Sequence, residues 1–195
     1  MNAFHSEKYL KAAISSVVNQ TEQSWELLLW DNSTHDIARL IAGRFDDVRI
    51  RYFWSPERVS LYQSRMNAVR QAEGEFIAFL DCDDEWKPDK LEVQVRAFDE
   101  DACVASCTDF RIQREKSSPQ SLRVRDAVYK TYRSPVLSPV GVLRDYRVGM
   151  SSLMVRSSAA LRAWPDKPPP FFMIEDLDMV MRIMAFGSLI PIPVD

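Results

Sequence analysis

The chain has 195 residues, of which 46% are apolar and 27% are charged, and its formal net charge at pH 7 is −3. This length and composition are typical of one globular domain with a sizeable core, and the weakly acidic balance argues against a dedicated nucleic-acid-binding protein. The sequence has no apolar run of about 18 residues, so it predicts no segment that spans a bilayer by itself.

The charge is unevenly distributed along the chain. Residues 111–147 contain nine Lys or Arg and three Asp or Glu, so this stretch carries +6 and the remainder carries −9. One interpretation is a solvated loop, which the Ser and Pro content of the stretch favours. The other is a surface for an anionic acceptor or for membrane headgroups.

Helical and strand-like patterns alternate along the chain. Helical apolar spacing predicts helices at 7–20, 35–45, 61–72, 88–98 and 176–186. Short apolar runs predict strands at 26–30, 48–53, 75–80, 103–108 and 150–155, and residues 117–138 are predicted to form a long loop or small subdomain. The alternation predicts an α/β fold, a doubly wound and mostly parallel sheet with helices on both faces, in one domain over residues 1–195.

The beginning of the chain is unusual for such a sheet. The first predicted helix starts within a few residues of Met1, which leaves no room for a strand before it. We therefore expect the first strand of the sheet to be missing, and the simplest explanation is a fragment or a misplaced start site.

The stretch FLDCDDEW at residues 79–86 is the most informative for function. Asp81, Asp83 and Asp84 follow a predicted strand directly, and open α/β sheets bind their ligands at such strand ends. Carboxylates crowded there repel one another unless a cation lies among them. An Asp-x-Asp arrangement suits Mg²⁺ or Mn²⁺, particularly when a substrate diphosphate completes the coordination shell. The alternative is an acidic, solvated loop with helix-capping Asp residues, and the motif alone leaves both interpretations open.

Three phrases of the sequence resemble, in order, the family 2 glycosyltransferases, which are enzymes with the GT-A fold. The phrases are KYLKAAISSVVNQTEQSWELLLWDNSTHD at 8–36, EGEFIAFLDCDDEWKPDKLEVQV at 73–95 and FFMIEDLDMVMRIMAFG at 171–187. Three ordered matches at compatible distances are far more specific than any one of them alone. The resemblance implies a nucleotide-sugar donor, a divalent cation and an inverting sugar transfer.

The resemblance assigns donor-binding roles to residues near the first two phrases. Phe4 stands where the family stacks an aromatic ring on the base. Asp31 stands where a carboxylate accepts a hydrogen bond from the ring N–H of the base, and it can form an Asx turn as well. Asp81 matches the first Asp of the motif, near the ribose or the metal. Asp83 matches the second and is expected to bind the Mg²⁺ or Mn²⁺ that bridges the diphosphate. Asp84 has a simpler interpretation as the cap of the next helix.

The third phrase supplies the expected catalytic residue. Asp176 matches the Asp of the Glu-Asp motif, which acts as general base on the acceptor hydroxyl, and its alternative role is helix capping. One inverting displacement needs a single carboxylate opposite the leaving group. Arg65 lies where the family often has an Arg-Asn pair, with Met66 in place of the Asn, and it is either a diphosphate contact or a solvated helical residue. We expect Arg182 to be a structural partner of a carboxylate.

The resemblance also indicates which classes of donor and acceptor to expect. A UDP-sugar is the expected donor, and residues 1–110 form the nucleotide-binding part. Residues 111–195 form the acceptor-side part, for a growing glycan or its lipid-linked precursor at the cytoplasmic face of a membrane. The particular sugar and the oligomeric state stay open.

Two other classes compete with this interpretation. The missing strand supports a non-catalytic remnant that binds nucleotide or a partner protein without turnover. A nucleotidyltransferase is disfavoured because no Gly-rich phosphate loop is present near the start. An Asp-nucleophile phosphatase is set aside, since its Asp-x-Asp would lie on the first strand.

Overall fold

The structure, a computed structural model, describes residues 1–4, 7–57, 59–99, 102–112, 127–130, 132, 134–164 and 175–193. Its strands are β1 (Asn2–Ala3), β2 (Leu27–Asp31), β3 (Ile50–Trp54), β4 (Phe76–Ala78), β5 (Cys103–Thr108), β6 (Phe110–Ile112), β7 (Ala127–Tyr129), β8 (Leu153–Arg156) and β9 (Ser188–Ile192). Its α-helices are α1 (Leu10–Val18), α2 (Ile37–Ala42), α3 (Leu61–Arg70), α4 (Lys90–Val95), α5 (Pro139–Arg144), α6 (Ser157–Ala163) and α7 (Glu175–Ile183).

Seven of the described strands form two sheets that meet edge to edge, and β6 and β7 form a separate two-stranded sheet. One sheet is parallel with the order β1-β2-β3, and the other has the order β4-β8-β5-β9, in which β8 is antiparallel to both of its neighbours. A parallel bridge between Asn2 and Asp81 joins β1 to the end of β4. The C-terminal ends of β1, β2 and β4 therefore lie at one edge of the combined sheet.

The prediction of a missing first strand needs a correction. Asn2 and Ala3 form the short strand β1, which pairs with Trp30 and Asp31 of β2. The pairing is possible because β2 presents an open backbone edge: the Trp30 N–H donates to the Met1 carbonyl at 3.0 Å, and the Asn32 N–H donates to the Ala3 carbonyl at 3.0 Å. The first strand position is thus occupied over two residues.

Apolar helix faces cover both sides of the sheet. On one side α1 and α2 pack on β2, in a cluster that contains Leu10, Ile14 and Leu29. On the other side α3, α6 and α7 pack on the second sheet, in a cluster that includes Met66 and Val180. The expected α/β architecture with helices on both faces is confirmed.

Most of the predicted elements are present with shorter bounds. The predicted strand at 103–108 coincides with β5, whereas residues 150–152 of another predicted strand form a 3₁₀ turn before β8. The patterns did not predict α5, α6, β6, β7 or β9. The predicted loop at 117–138 falls largely outside the described residues, but β7 within it pairs with β6. No helix in the described part of the chain is long and apolar enough to cross a bilayer.

Candidate active site

Three of the predicted donor-site residues lie together at the shared edge of the sheet. Ala3 of β1 pairs with Asp31, and Asn2 is bridged to Asp81 on the opposite side. Because neighbouring strands are about 4.8 Å apart, Asp31 and Asp81 stand about 10 Å apart with the end of β1 between them. Phe4 follows β1 directly and is 43% exposed. The exposed ring of Phe4 therefore follows a strand that lies between the backbone positions of Asp31 and Asp81.

Asp31 is fully buried and tightly held. Its Oδ1 accepts a hydrogen bond from the Ser33 N–H at 2.8 Å, which is the predicted Asx turn, and its Oδ2 accepts one from the Tyr52 hydroxyl at 2.7 Å. Burial, together with this carboxylate, raises the pKa of the Tyr52 hydroxyl. Each carboxylate oxygen can accept a second hydrogen bond, but a ligand reaches Asp31 only if the groups that cover it move aside.

Arg65 forms an ion pair with Asp81. The Arg65 Nη2 lies 2.9 Å from the Asp81 Oδ1, and Arg65 is only 8% exposed. Helix α3 buries Met66 and Val69 in the core, and this packing holds Arg65 within reach of Asp81. The interpretation of Arg65 as a solvated residue is therefore wrong, because its charge is directed at the loop that contains Asp81, Asp83 and Asp84, here called the acidic loop.

Ser151, which the sequence patterns did not single out, organises the acidic loop. Its Oγ accepts a hydrogen bond from the Asp81 N–H at 3.0 Å and donates one to the Asp84 Oδ2 at 2.6 Å. Its carbonyl accepts a third from the Trp86 Nε1 at 2.8 Å. Asp84 is thus bound to Ser151, and α4 begins further along the chain, after Asp89. Asp84 does not cap this helix.

Arg65 compensates only one of the negative charges of the acidic loop, and a cation would relieve the repulsion among the others. Partial burial raises the pKa of Asp84, the charges of Asp83 and Asp81 raise it further, and the Ser151 hydrogen bond opposes them. Asp83 itself is exposed at the tip of the loop. The described residues contain no cluster of three His, Cys, Asp or Glu side chains that could hold a metal ion. The carboxylates of the acidic loop instead fit Mg²⁺ or Mn²⁺ bound by one or two of them, with other ligands from water or a diphosphate.

Asp176 lies in the first turn of α7 and is half-buried. Its Oδ1 accepts a hydrogen bond from the Leu177 N–H at 2.9 Å. Burial raises the pKa of the Tyr146 hydroxyl, and the neighbouring Asp176 carboxylate raises it further. The carboxylate of Asp176 is therefore close to a half-buried tyrosine that sequence patterns did not identify.

Arg65 links the start of α7 to the acidic loop. Burial raises the pKa of Glu175, the charge of Arg65 lowers it, and the charge of Asp176 raises it. The same guanidinium thus acts on Asp81 and on Glu175, which are far apart in sequence. Further along α7, Arg182 pairs with Asp178 at 2.8 Å, so its expected structural role is confirmed.

Comparison with known proteins identifies the family. Residues 1–158 match the model of Glycosyl transferase family 2, and the chain belongs to this family.

Two curated relatives are bacterial. TuaG of Bacillus subtilis (strain 168), whose name assigns it provisionally to teichuronic acid biosynthesis, is 30% identical over 139 residues, which are 66% of this chain and 55% of TuaG. WfgD of Escherichia coli, a UDP-Glc:alpha-D-GlcNAc-diphosphoundecaprenol beta-1,3-glucosyltransferase, is 39% identical over 95 residues, which are 49% of this chain and 38% of WfgD. The chain spans about half or less of these relatives.

Several solved structures share the fold of this chain. S. aureus TarS matches with a TM-score of 0.78 at 16% identity, over 100% of this chain and 34% of that chain. Its 1–349 fragment in complex with UDP-GlcNAc gives a TM-score of 0.72 at 15% identity, over 100% of this chain and 57% of that one. GalNAc-T7 with UDP, GalNAc and Mn²⁺ gives 0.65 at 16% identity, over 94% of this chain and 39% of that one. The GT-A fold expected from the sequence is confirmed.

Proposed function

We propose that this chain is the donor-binding and catalytic part of an inverting glycosyltransferase that uses a nucleotide-diphosphate sugar. The observation that carries the proposal is the buried Arg65, which pairs with Asp81 at the acidic loop and acts electrostatically on Glu175 at the start of α7. Arg65 therefore couples Asp81, which is expected to serve the donor, to Glu175, the neighbour of the proposed base Asp176. Membership of the family supports the same assignment.

The donor is proposed to be a UDP-sugar bound by residues 1–110. The exposed ring of Phe4 stacks on the base, and Asp31 accepts the hydrogen bond of its ring N–H. Asp81, held by Arg65 and Ser151, lies toward the ribose and the diphosphate. Support comes from two relatives that are named or solved with UDP-linked sugars, WfgD and TarS.

Asp83 is the proposed ligand of Mn²⁺ or Mg²⁺. It is an exposed carboxylate of the loop, and the mutual repulsion with its neighbours would fall when a cation binds there. The bound ion would neutralise charge on the departing diphosphate. The presence of Mn²⁺ in the structure of GalNAc-T7 agrees with this assignment.

Asp176 is the proposed general base. It would take the proton of an acceptor hydroxyl while the acceptor oxygen bonds to the anomeric carbon and the bond from that carbon to the diphosphate oxygen breaks. The single displacement inverts the anomeric centre. The acceptor, bound by residues 111–195, is a growing glycan or its lipid-linked precursor at the cytoplasmic face of a membrane. WfgD, whose named acceptor is a diphosphoundecaprenol-linked sugar, supports this class of acceptor.

The substitution Asp83→Asn tests the metal-dependent donor site, with Glu85→Gln as its matched control. Both residues are exposed carboxylates of the same loop, and both changes keep the shape of the side chain. In the presence of Mn²⁺, we expect Asp83→Asn to weaken UDP binding at least tenfold, about 1.4 kcal/mol, while Glu85→Gln leaves it unchanged. Equal affinities for the two variants would rule out Asp83 as the metal ligand.

A further inference from the structure

Exposed apolar side chains follow one another along α5 and the residues just before it. Val136, Val140 and Leu143 are 43%, 56% and 58% exposed, and they are here called the apolar stripe. Val140 and Leu143 are three positions apart in α5, so their side chains lie on the same face of the helix. Single exposed apolar residues are common on protein surfaces, whereas neighbours that share one face indicate a contact surface.

The opposite side of the same segment is fixed to the core. Leu137 and Val142 are buried in the core cluster beneath the second sheet. The Leu137 N–H donates to the Leu189 carbonyl of β9 at 3.0 Å, and the Ser138 hydroxyl oxygen caps α5 by accepting from the Gly141 N–H at 3.1 Å. The apolar stripe is therefore held in place before any partner arrives, so docking would cost little conformational entropy.

Positive charge accompanies the apolar stripe. Arg144 directly follows Leu143 at the end of α5 and is exposed, and Arg147 is exposed as well, although it pairs with Asp145. Both arginines belong to the stretch 111–147, which carries +6 while the remainder of the chain carries −9. A charge asymmetry of this kind orients a protein near an anionic surface, with the basic stretch toward it.

The chain leads from α5 directly to the proposed catalytic base. Tyr146, two residues after the end of α5, lies close to Asp176. The Tyr132 hydroxyl donates to the Asp145 carbonyl at 2.7 Å and accepts from the Arg147 N–H at 2.9 Å. These two bonds hold the backbone on either side of Tyr146, so the apolar stripe and the surroundings of Asp176 are parts of one anchored segment.

We propose that the apolar stripe, together with Arg144, docks on the headgroup region of an anionic lipid bilayer. The apolar side chains would enter the boundary between headgroups and acyl chains, while the guanidinium stays among the anionic headgroups. A fluid bilayer requires no complementary groove, and a helix face of this composition meets its two requirements. The inference rests on the proposed function in one respect: a lipid-linked acceptor is presented to Asp176 at such a surface.

Co-sedimentation of the full chain with lipid vesicles tests the proposal. The vesicles contain equal parts of phosphatidylglycerol and phosphatidylcholine, or phosphatidylcholine alone. We expect the double substitution Val140→Ser/Leu143→Ser to weaken binding to the anionic vesicles at least about tenfold. The matched control is Leu40→Ser/Leu161→Ser, two leucines that are 59% and 52% exposed on α2 and α6, and it should bind within about twofold of the parent protein.

Three results of this experiment would overturn the proposal. They are equal binding by the two double variants, failure of the parent protein to bind the anionic vesicles, and equally strong binding of the parent protein to phosphatidylcholine alone. Size-exclusion chromatography adds a fourth. A dimer of the parent protein that Val140→Ser/Leu143→Ser dissociates would show that a second copy of the chain covers the apolar stripe.

A charge substitution tests the role of Arg144 separately. We expect Arg144→Gln to weaken binding to the anionic vesicles about fivefold, because its guanidinium lies at the docking surface. The control Arg44→Gln removes an exposed arginine from the turn after α2, far from α5 in sequence, and should leave binding within about twofold. Equal weakening by the two substitutions would show that net charge alone governs binding, which contradicts docking through α5.

UDP titration in the presence of Mn²⁺, without vesicles, separates this proposal from the proposed function. We expect the parent protein and Val140→Ser/Leu143→Ser to bind UDP equally, since the apolar stripe is not part of the donor site. A parent protein that binds the anionic vesicles but not UDP would contradict the donor site and leave the docking surface supported. A parent protein that binds UDP but not the vesicles would overturn the docking surface alone.

Discussion

At the scale of single residues, the half-buried Tyr52 and the buried Tyr62 differ in whether the hydroxyl has a partner. The Tyr52 hydroxyl donates to the buried carboxylate of Asp31 at 2.7 Å. The Tyr62 hydroxyl is buried and has no hydrogen-bond partner within the described part of the chain. A hydrogen bond to a buried charged group stabilises a protein, whereas an unsatisfied buried hydroxyl destabilises it.

The same substitution at these two positions should therefore have different effects. We expect Tyr52→Phe to lower the free energy of unfolding by about 1.5–3 kcal/mol, and Tyr62→Phe to leave it unchanged or to raise it. Urea denaturation of the two variants and the parent protein measures both effects. Equal destabilisation by the two substitutions would show that the Asp31 hydrogen bond has no special role.

Lys90 predicts a pH dependence of stability. Burial lowers the pKa of its ammonium from 10.5 to about 7, and its Nζ lies 4.1 Å from the centroid of the Trp86 ring. Between these two pH values the lysine is neutral in the native protein and protonated in the unfolded chain. The unfolded state then binds more protons, so stability rises with pH through this window, by at most about 1.4 kcal/mol per pH unit.

Comparison with Lys90→Met isolates this contribution. Below pH 7 the lysine is protonated in both states, and the buried charge destabilises the native state fully. We expect Lys90→Met to be more stable than the parent protein at pH 6, and this difference to shrink as pH rises toward 10. Denaturant unfolding at several pH values measures it, with the exposed Lys11→Met as the control for loss of one positive charge. A difference that does not change with pH would contradict the lowered pKa.

The sequence indicates candidate residues of the site, but it does not indicate the hydrogen-bond partners that hold them. Asp81, Asp83 and Asp84 were identified because they follow directly on an apolar strand, which is a local pattern. Ser151, the hydrogen-bond partner of two of these residues, lies 70 positions from Asp81 and has no local signature. Which residues distant in sequence become hydrogen-bond partners depends on the tertiary fold. The residue spacing within one segment does not predict such contacts.

At the scale of secondary-structure elements, the side chain of Gln20 links α1 to the start of α4 by hydrogen bonds. It is 1% exposed. Its Nε2 donates to the Ser16 carbonyl at 2.9 Å and to the Lys87 carbonyl at 2.7 Å, and its Oε1 accepts from the Leu91 N–H at 3.0 Å. The N–H groups of the first helical turn have no partner within the helix, so this amide satisfies one of the donors of α4.

Removal of this amide should loosen the junction between α1 and α4. We expect Gln20→Leu to lower the free energy of unfolding by about 2–3 kcal/mol, because it leaves buried backbone groups unpaired. The control is Gln63→Leu on α3. It removes the (i, i+4) hydrogen bond from the Gln63 side chain to the Asn67 side chain and should lower the free energy of unfolding by about 0.3 kcal/mol. Chemical denaturation of both variants provides the comparison. Similar losses would mean that Gln20 is not a structural link.

Length and local chemistry explain which elements could be predicted. Strand β5 is buried at every position, so its apolar run has clear ends. Helices α5 and α6 have six and seven residues. Helices α2 and α4 are as short, but 3₁₀ turns at Gly43–Phe45 and Arg96–Asp99 follow them directly and prolong their apolar spacing, so their periodicity is visible in the sequence. Strand β9 contains Pro191, which argues against a strand in the sequence although the structure pairs it with Cys107 of β5.

At the scale of the whole molecule, the sheet order brings distant segments to one edge. Strand β1 lies between Asp31 and Asp81, and α3 lies where Arg65 acts on both the acidic loop and α7. The alternation of helices and strands predicted the α/β class, and the ordered resemblance predicted the family. The antiparallel position of β8 between β4 and β5 was not predicted, because strand order and direction depend on long-range pairing.

The most direct test of the central claim is calorimetric titration of UDP into the folded chain, first with Mn²⁺ and then with EDTA. If the edge formed by β1, β2 and β4 is a metal-assisted nucleotide-sugar site, UDP binds with Mn²⁺ and its affinity falls at least about tenfold in EDTA. Equal affinity in both conditions would contradict the metal role of the acidic loop. The absence of binding in either condition, from a folded sample, would contradict the donor site itself and favour a protein without transferase activity.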